Sequence, residues 1–189
     1  MRYAPGHKEK THRKLLLAAG KLFRKSGFKG VSVERVMKQA GLTHGGFYAH
    51  FKSKTQLIAE TFAVDAGLLR MLREKETASG AARVLSGYMA PENRSEVAAG
   101  CPLAALPADV SRSNATIKAA YTARVAELLS LLADRMPAQL DNVERETRAM
   151  ETMVLALGSV MFSQALSDKE LADRLQNVCR HAVDRRFEV

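Results

Sequence analysis

Residues 40–54 read AGLTHGGFYAHFKSK, and their reading decides the fold. Ser32 is placed to cap a short helix from Val33 to Ala40, which Gly41 ends. Thr43 can cap a second short helix from His44 to His50, and Ser53 with Gln56 fits the S-x-x-Q capping box that starts another helix at Lys54. Two short helices separated by Gly41-Leu42-Thr43 have helix-turn-helix spacing. Gly41 permits the sharp turn, while Val33, Val36, Leu42 and Phe47 can pack the pair. In such a unit the second helix enters the DNA major groove with its N-terminal residues toward the base edges. Glycine costs about 1 kcal/mol in a helix relative to Ala, so Gly45-Gly46 points to close approach of the backbone to something.

Upstream, Leu15, Leu16, Ala18, Ala19, Leu22 and Phe23 recur at helical spacing between Lys10 and Lys25, with Thr11 or a position a few residues earlier as a start and Gly27 as a stop. Downstream, the helix from Lys54 is expected to run through Leu57, Ile58, Thr61, Phe62 and Leu68 to about Glu74. After ETASGAA (76–82) the composition turns apolar and mildly acidic. Breaks are expected at Pro91-Glu92-Asn93, Gly100-Cys101-Pro102, Ser111 to Asn114, and Pro137. Pro107 requires the segment 102–110 to be short, kinked or broken. Asp141 with Glu144 and Ser167 with Glu170 read as capping boxes for two final helices, 142–166 and 168–186. No alternating strand pattern appears. The fold class is all-α, about nine helices, with an N-terminal helix-turn-helix domain (1–55) and a C-terminal helical domain (56–189).

The charge is divided in the same place. Residues 1–58 carry thirteen Lys/Arg against two acids, a net +11, while the rest carries sixteen against eighteen. A basic first third on a near-neutral body implies a polyanion-binding module attached to a domain with another task. No apolar run reaches the ~18 residues of a membrane span, and the basic N-terminus lacks the apolar stretch of a secretory signal. With only two cysteines, Cys101 and Cys179, a disulfide framework is excluded, and a cytoplasmic protein with free thiols and no membrane association is expected.

Rival chemistries fare poorly. His44 and His50 are six residues apart, on different helical faces, with no Cys or acid between them, so no metal is expected. Pairing Cys101 with His181 as nucleophile and base lacks any surrounding motif, and no phosphate-binding loop, nucleophile elbow or dinucleotide fingerprint is present. Neither catalysis nor a cofactor is expected.

The run from Thr11 to Leu57 resembles the DNA-binding domain of the TetR (tetracycline-repressor-like) family of bacterial regulators. It combines the Gly27–Phe28 turn, the Ser32 cap, AGLT, FYAHF and the KSK helix start in order. The resemblance implies that Thr43, His44, Gly45 and Gly46 meet bases and phosphates of a double-stranded operator, with Tyr48 and His50 on phosphates. Ser32 and Lys54, at helix N-termini, suit an anion. Arg2, Lys8 and Lys10 form a basic arm able to follow the backbone or enter the minor groove. Phe47 and Phe51 are expected in the core.

For the body, the apolar surface of helix 142–166 and its successor suits pairing with a second copy in a four-helix bundle, as in TetR-like homodimers, through Met150, Val154, Met161, Leu171, Leu175 and Val178. A pocket for a small-molecule effector is expected among Leu85, Tyr88, Met89 and Cys101. Leu103, Leu106 and Tyr121 are further candidates, as are Val125, Met153 and Leu157. The expected function is a ligand-responsive repressor on a palindromic operator. The alternatives are a constitutive architectural DNA-binding protein and a thiol-based sensor using Cys101.

Overall fold

The computed structural model describes residues 6–64, 67–93 and 100–188; Arg2 of the expected arm lies outside them. Among the described residues all regular structure is helical: ten α-helices and two short 3-10 helices. They are α1 (His7–Ser26), α2 (Val33–Gln39), a 3-10 helix (His44–Ala49), α3 (Lys54–Phe62), α4 (Leu68–Arg73), α5 (Ala78–Tyr88), a second 3-10 helix (Pro91–Asn93), α6 (Pro102–Ala105), α7 (Pro107–Ser111), α8 (Ala115–Asp134), α9 (Asn142–Ala165) and α10 (Lys169–Arg186).

Two compact units form, one from Met1–Val64 with Leu106–Ala123 and the other from Asp65–Ala105 with Arg124–Val189. In the first, α1 packs on α2 and α3, and α2 packs on the 3-10 helix. Its core holds Leu15, Phe23, Val36, Phe47, Phe51, Leu57 and Phe62, so Phe47 and Phe51 are core residues as expected. Edge-on rings run from Phe23 through Phe28 and Phe62 to Tyr121. In the second unit α9 lies along α10, α5 packs on α4 and α10, and α6 packs on α9.

Several local expectations need correcting. The helix expected from 54 to 74 is two helices, because Gly67 adopts φ +64° just before α4. The His44 segment closes as a 3-10 helix, consistent with two helix-weakening glycines in six residues. Its Thr43 supplies no side-chain cap. Helix α1 begins at His7, a few residues before Thr11, so Lys8 and Lys10 belong to its first turns and not to an extended arm.

The final helix is capped by Asp168, whose carboxylate accepts from the Leu171 amide at 3.0 Å, and not by Ser167. An anion there also gains from the helix dipole. The Asp141–Glu144 capping box forms as read. Ser53 accepts from the Gln56 amide at 3.1 Å, but the Gln56 side chain turns to the Lys52 amide at 2.7 Å, so that box is half made. Pro107 takes the first position of α7, where its missing amide proton costs nothing, and the chain breaks at Leu106.

Candidate nucleic-acid interface and effector cavity

The helix-turn-helix is held from below and open above. Ser32 Oγ accepts from the Arg35 amide at 3.1 Å, which starts α2. Gly41, at φ +66°, makes the turn, and the Leu42 amide reaches the Met37 carbonyl at 2.9 Å. Phe47 anchors the 3-10 helix, buried against Phe51 with ring centres 5.6 Å apart. With that side inward, Thr43, His44 and Gly45 are exposed, and Tyr48 is 71% exposed. Neither glycine of the pair has positive φ. A Cβ on Gly45 would meet nothing within 4 Å, and one on Gly46 only the Met37 methyl at 3.5 Å. Internal packing therefore does not require glycine here, which leaves the outer surface as the place where a side chain would interfere.

A groove of about 510 Å³ brings together Lys8, Thr43, Gly46 and His50 of the sequence-predicted set, and adds His7 and Thr11. Those two reach the groove through the first turns of α1. Once α1 begins at His7, positions 7, 8 and 11 share one helical face. His50 carries a buried Nδ1 that has no hydrogen-bond partner. Burial lowers its pKa below the ordinary 6.5, with help from the neighbouring His12, Lys8 and His7. His12 stacks on Phe51 at 4.4 Å, and its Nε2 lies 2.7 Å from Glu60. Gln56 Nε2 donates to the other oxygen of Glu60 at 2.7 Å, joining α1, α3 and the 50–53 loop in one network.

Lys54 is more occupied than its sequence position suggested. Its ammonium donates to the Phe28 carbonyl at 2.6 Å, and burial lowers its pKa. Lys8 and Lys10 are exposed cations on α1.

In the second unit a cavity of about 470 Å³ is lined by residues of α4, α5 and α9 together with Gly100 and Cys101. Its described lining includes Tyr88 and Cys101 from the expected set. Leu85, Met89 and Leu103 are core side chains instead, and Leu106 and Tyr121 belong to the first unit. Val125, Met153 and Leu157 are half-buried and outside the described lining. Gln164 comes from the helix expected to line the pocket, while Arg83 is new to the set, although Arg83, Val84, Gly87 and Tyr88 sit on one face of α5 at positions i, i+1, i+4 and i+5.

A sequence profile for bacterial regulatory proteins of the tetR family matches residues 15–61. Residues 15–61 therefore form a tetR-family domain. Over 52 residues it is 36% identical to the transposon Tn10 TetC protein of Escherichia coli, a match covering 28% of this chain and 26% of that protein. The whole fold is similar to solved TetR-family regulators. One from Cytophaga hutchinsonii matches with TM-score 0.74 and 14% identity over 100% of both chains. One from Agrobacterium tumefaciens matches with TM-score 0.73 and 16% identity, over 95% of this chain and 99% of that one. The reduced form of E. coli NemR matches with TM-score 0.68 and 19% identity, over 91% and 96%. The TetR fold therefore extends beyond the profile match. Among the described residues no helix is long and apolar enough to cross a membrane, and no group of three metal-ligating side chains is assembled.

Proposed function

We propose that this TetR-family chain is a DNA-binding transcriptional repressor that acts as a homodimer on a palindromic operator and is released by a small molecule. The observation carrying the DNA-binding part is the exposed Thr43-His44-Gly45 edge, with a glycine that the fold does not require. Thr43, His44, Gly45 and Gly46 are assigned to the major groove. Tyr48, Lys8, Lys10 and His50 are assigned to phosphates. The Ser32 end of α2 is available to a further phosphate through its helix N-terminus.

The dimer reading rests on how α9 and α10 sort their side chains. Along α9 the buried residues are mostly small, Ala149, Thr152, Ala156, Ser159 and Ser163, with Val160 as the one large apolar member. The large apolar residues Met150, Val154 and Met161 are exposed, and Val154 is 63% so. On α10 Leu171 and Val178 are also exposed, with Leu175 half-buried beside them. A lone helix would do the reverse, since large apolar side chains gain most from burial. Two copies joined through this face would present two reading segments to successive major grooves.

The effector reading rests on the cavity of the second unit, which also weighs against a purely architectural role. Cys101 lies in its wall and is buried, so the thiol-sensor alternative addresses the same cavity.

In vitro selection of duplex DNA with the purified protein, followed by footprinting, tests the proposal. A palindrome protected over two half-sites one helical turn apart supports it. Sequence-independent binding of the same strength would sink the repressor reading in favour of the architectural one.

A further inference from the structure

One edge of α1 carries a row of lysines that the fold leaves without partners. By helical period Lys14, Lys21 and Lys25 fall in line with His7, and all of them are exposed. His7 lines the groove beside the reading segment, so the row starts there. Lys14 stays close to it: a Cβ on Gly41, in the turn before Thr43, would lie 3.8 Å from the Lys14 ammonium. From Lys14 to Lys25 the row runs roughly 16 Å at 1.5 Å per residue, about five base-pair steps of 3.4 Å. Glu9, the one acid in α1, falls on another face.

Cations elsewhere are engaged. In the second unit Arg73 and Arg124 share Glu127, Arg186 meets Glu151 at 2.7 Å, and Arg135 donates to the Lys75 carbonyl at 2.6 Å. In the first, Lys54 donates to the Phe28 carbonyl and Arg35 to the Gly30 carbonyl. Among the described residues the side chains of Lys14, Lys21 and Lys25 make no ion pair or hydrogen bond. Like charges four positions apart weaken a helix, and both Lys10–Lys14 and Lys21–Lys25 stand at that spacing. Lys25, in the last turn, is compensated by the helix dipole. Lys14 and Lys21, in mid-helix, are not. Folding gains nothing from this row, and a polyanion laid along it relieves the repulsion.

We propose, resting on the DNA-binding reading above, that this edge of α1 is a second contact surface for duplex DNA, on phosphates that flank the half-site. A lipid surface needs apolar side chains to insert, and among the described residues of α1 Leu17 is the one large apolar side chain left exposed. Duplex DNA needs none, since it offers a regular row of phosphates. The lysine row also starts beside the turn that leads into the reading segment. Contacts of this kind add affinity and salt dependence without sequence preference.

The test compares two duplexes carrying the selected operator, one trimmed to the protected half-sites and one extended by about ten base pairs at each end, roughly a helical turn. Each is titrated with the full-length protein over a range of salt. The parent should bind the extended duplex about tenfold or more tightly at low salt, with a log–log salt slope steeper by about 0.9 for each lysine engaged. Lys14→Gln with Lys21→Gln should remove about 0.9 per replaced lysine from the slope on the extended duplex. The same variant should bind the trimmed duplex as the parent does. Its melting temperature should hold, because no partner is lost and repulsion is relieved. A control that removes equal charge from the second unit, Lys75→Gln with Lys169→Gln, should match the parent on both duplexes. Equal affinity and slope of the parent on the two duplexes overturns the proposal and leaves this edge a solvated face. A loss in the α1 variant that is equal on both duplexes, or no larger than the control's, overturns it too, while the DNA-binding reading stands. Failure of selection to yield any duplex that the parent binds overturns both.

Discussion

The Lys54 ammonium donates to the Phe28 carbonyl at 2.6 Å, while the Phe28 amide donates to Asp109 at 3.0 Å. One peptide group on each side of Phe28 is thereby tied to a different helix, α3 through Lys54 and α7 through Asp109. Gly27 fits this junction closely: at φ +67°, a Cβ on it would lie 3.0 Å from the Asp109 carboxylate. Lys54 thus helps hold the turn between α1 and α2 in place.

Lys54→Met should accordingly lower the stability of the protein by about 1–2 kcal/mol, the worth of a hydrogen bond from a charged donor. Urea denaturation followed by circular dichroism measures this. Unchanged stability with weakened DNA binding and a salt slope reduced by about one counterion would return Lys54 to a phosphate-contact role.

Gly45→Ala separates folding from recognition. The new methyl meets nothing in the protein, and alanine is the better helix former, so the melting temperature should hold or rise. Affinity for the selected operator should fall by about tenfold or more if the backbone approaches DNA there, a change of about 1.4 kcal/mol. Mobility-shift titration beside a thermal melt reads both; equal affinity would show that DNA does not pass over Gly45.

Charge placed on the exposed apolar face should break the dimer. Val154 and Val178 are 63% and 64% exposed, so Val154→Glu and Val178→Glu should leave the protomer folded. Sedimentation at micromolar concentration should then show a dimer for the parent and a monomer for the double variant. Identical sedimentation of the two would move the interface elsewhere.

His50 sets a pH dependence whose sign follows from its surroundings. Burial and the neighbouring His12, Lys8 and His7 lower its pKa from 6.5, so the folded state favours the neutral ring. That contribution to stability is present above about 6.5, the ordinary imidazole value, and is lost as pH falls through the lowered folded value. Urea midpoints of the parent should therefore fall more steeply below this pH than those of His50→Gln. A DNA phosphate beside the ring favours the charged form, so operator affinity should strengthen over the same descent, and less so in the variant. Parallel curves for the two proteins would remove His50 from the account.

Much of this molecule is legible in the residues alone. The all-helical class, the helix-turn-helix, the Ser32 and Asp141 caps and the break before Pro107 follow from short-range rules. A cap needs only a side-chain oxygen within a few residues of a bare amide, and proline acts on its own turn. The basic first third was visible for the same reason, since charge counts need no coordinates.

Tertiary structure decided what depends on distant partners. Lys54 reads as a free cation at a helix start until Phe28, 26 positions away, appears at its ammonium. The apolar residues of α9 look alike in sequence. Only packing separates the buried, mostly small residues from the exposed large ones, because a helix with apolar residues on more than one face does not state which face its neighbours cover. The cavity followed the same logic. Leu85 and Tyr88 were equal candidates by pattern, but a cavity is the space that side chains from remote segments fail to fill. Here α4, α5, α9 and the Gly100-Cys101 turn leave that space beside Tyr88, while Leu85 is buried in the core.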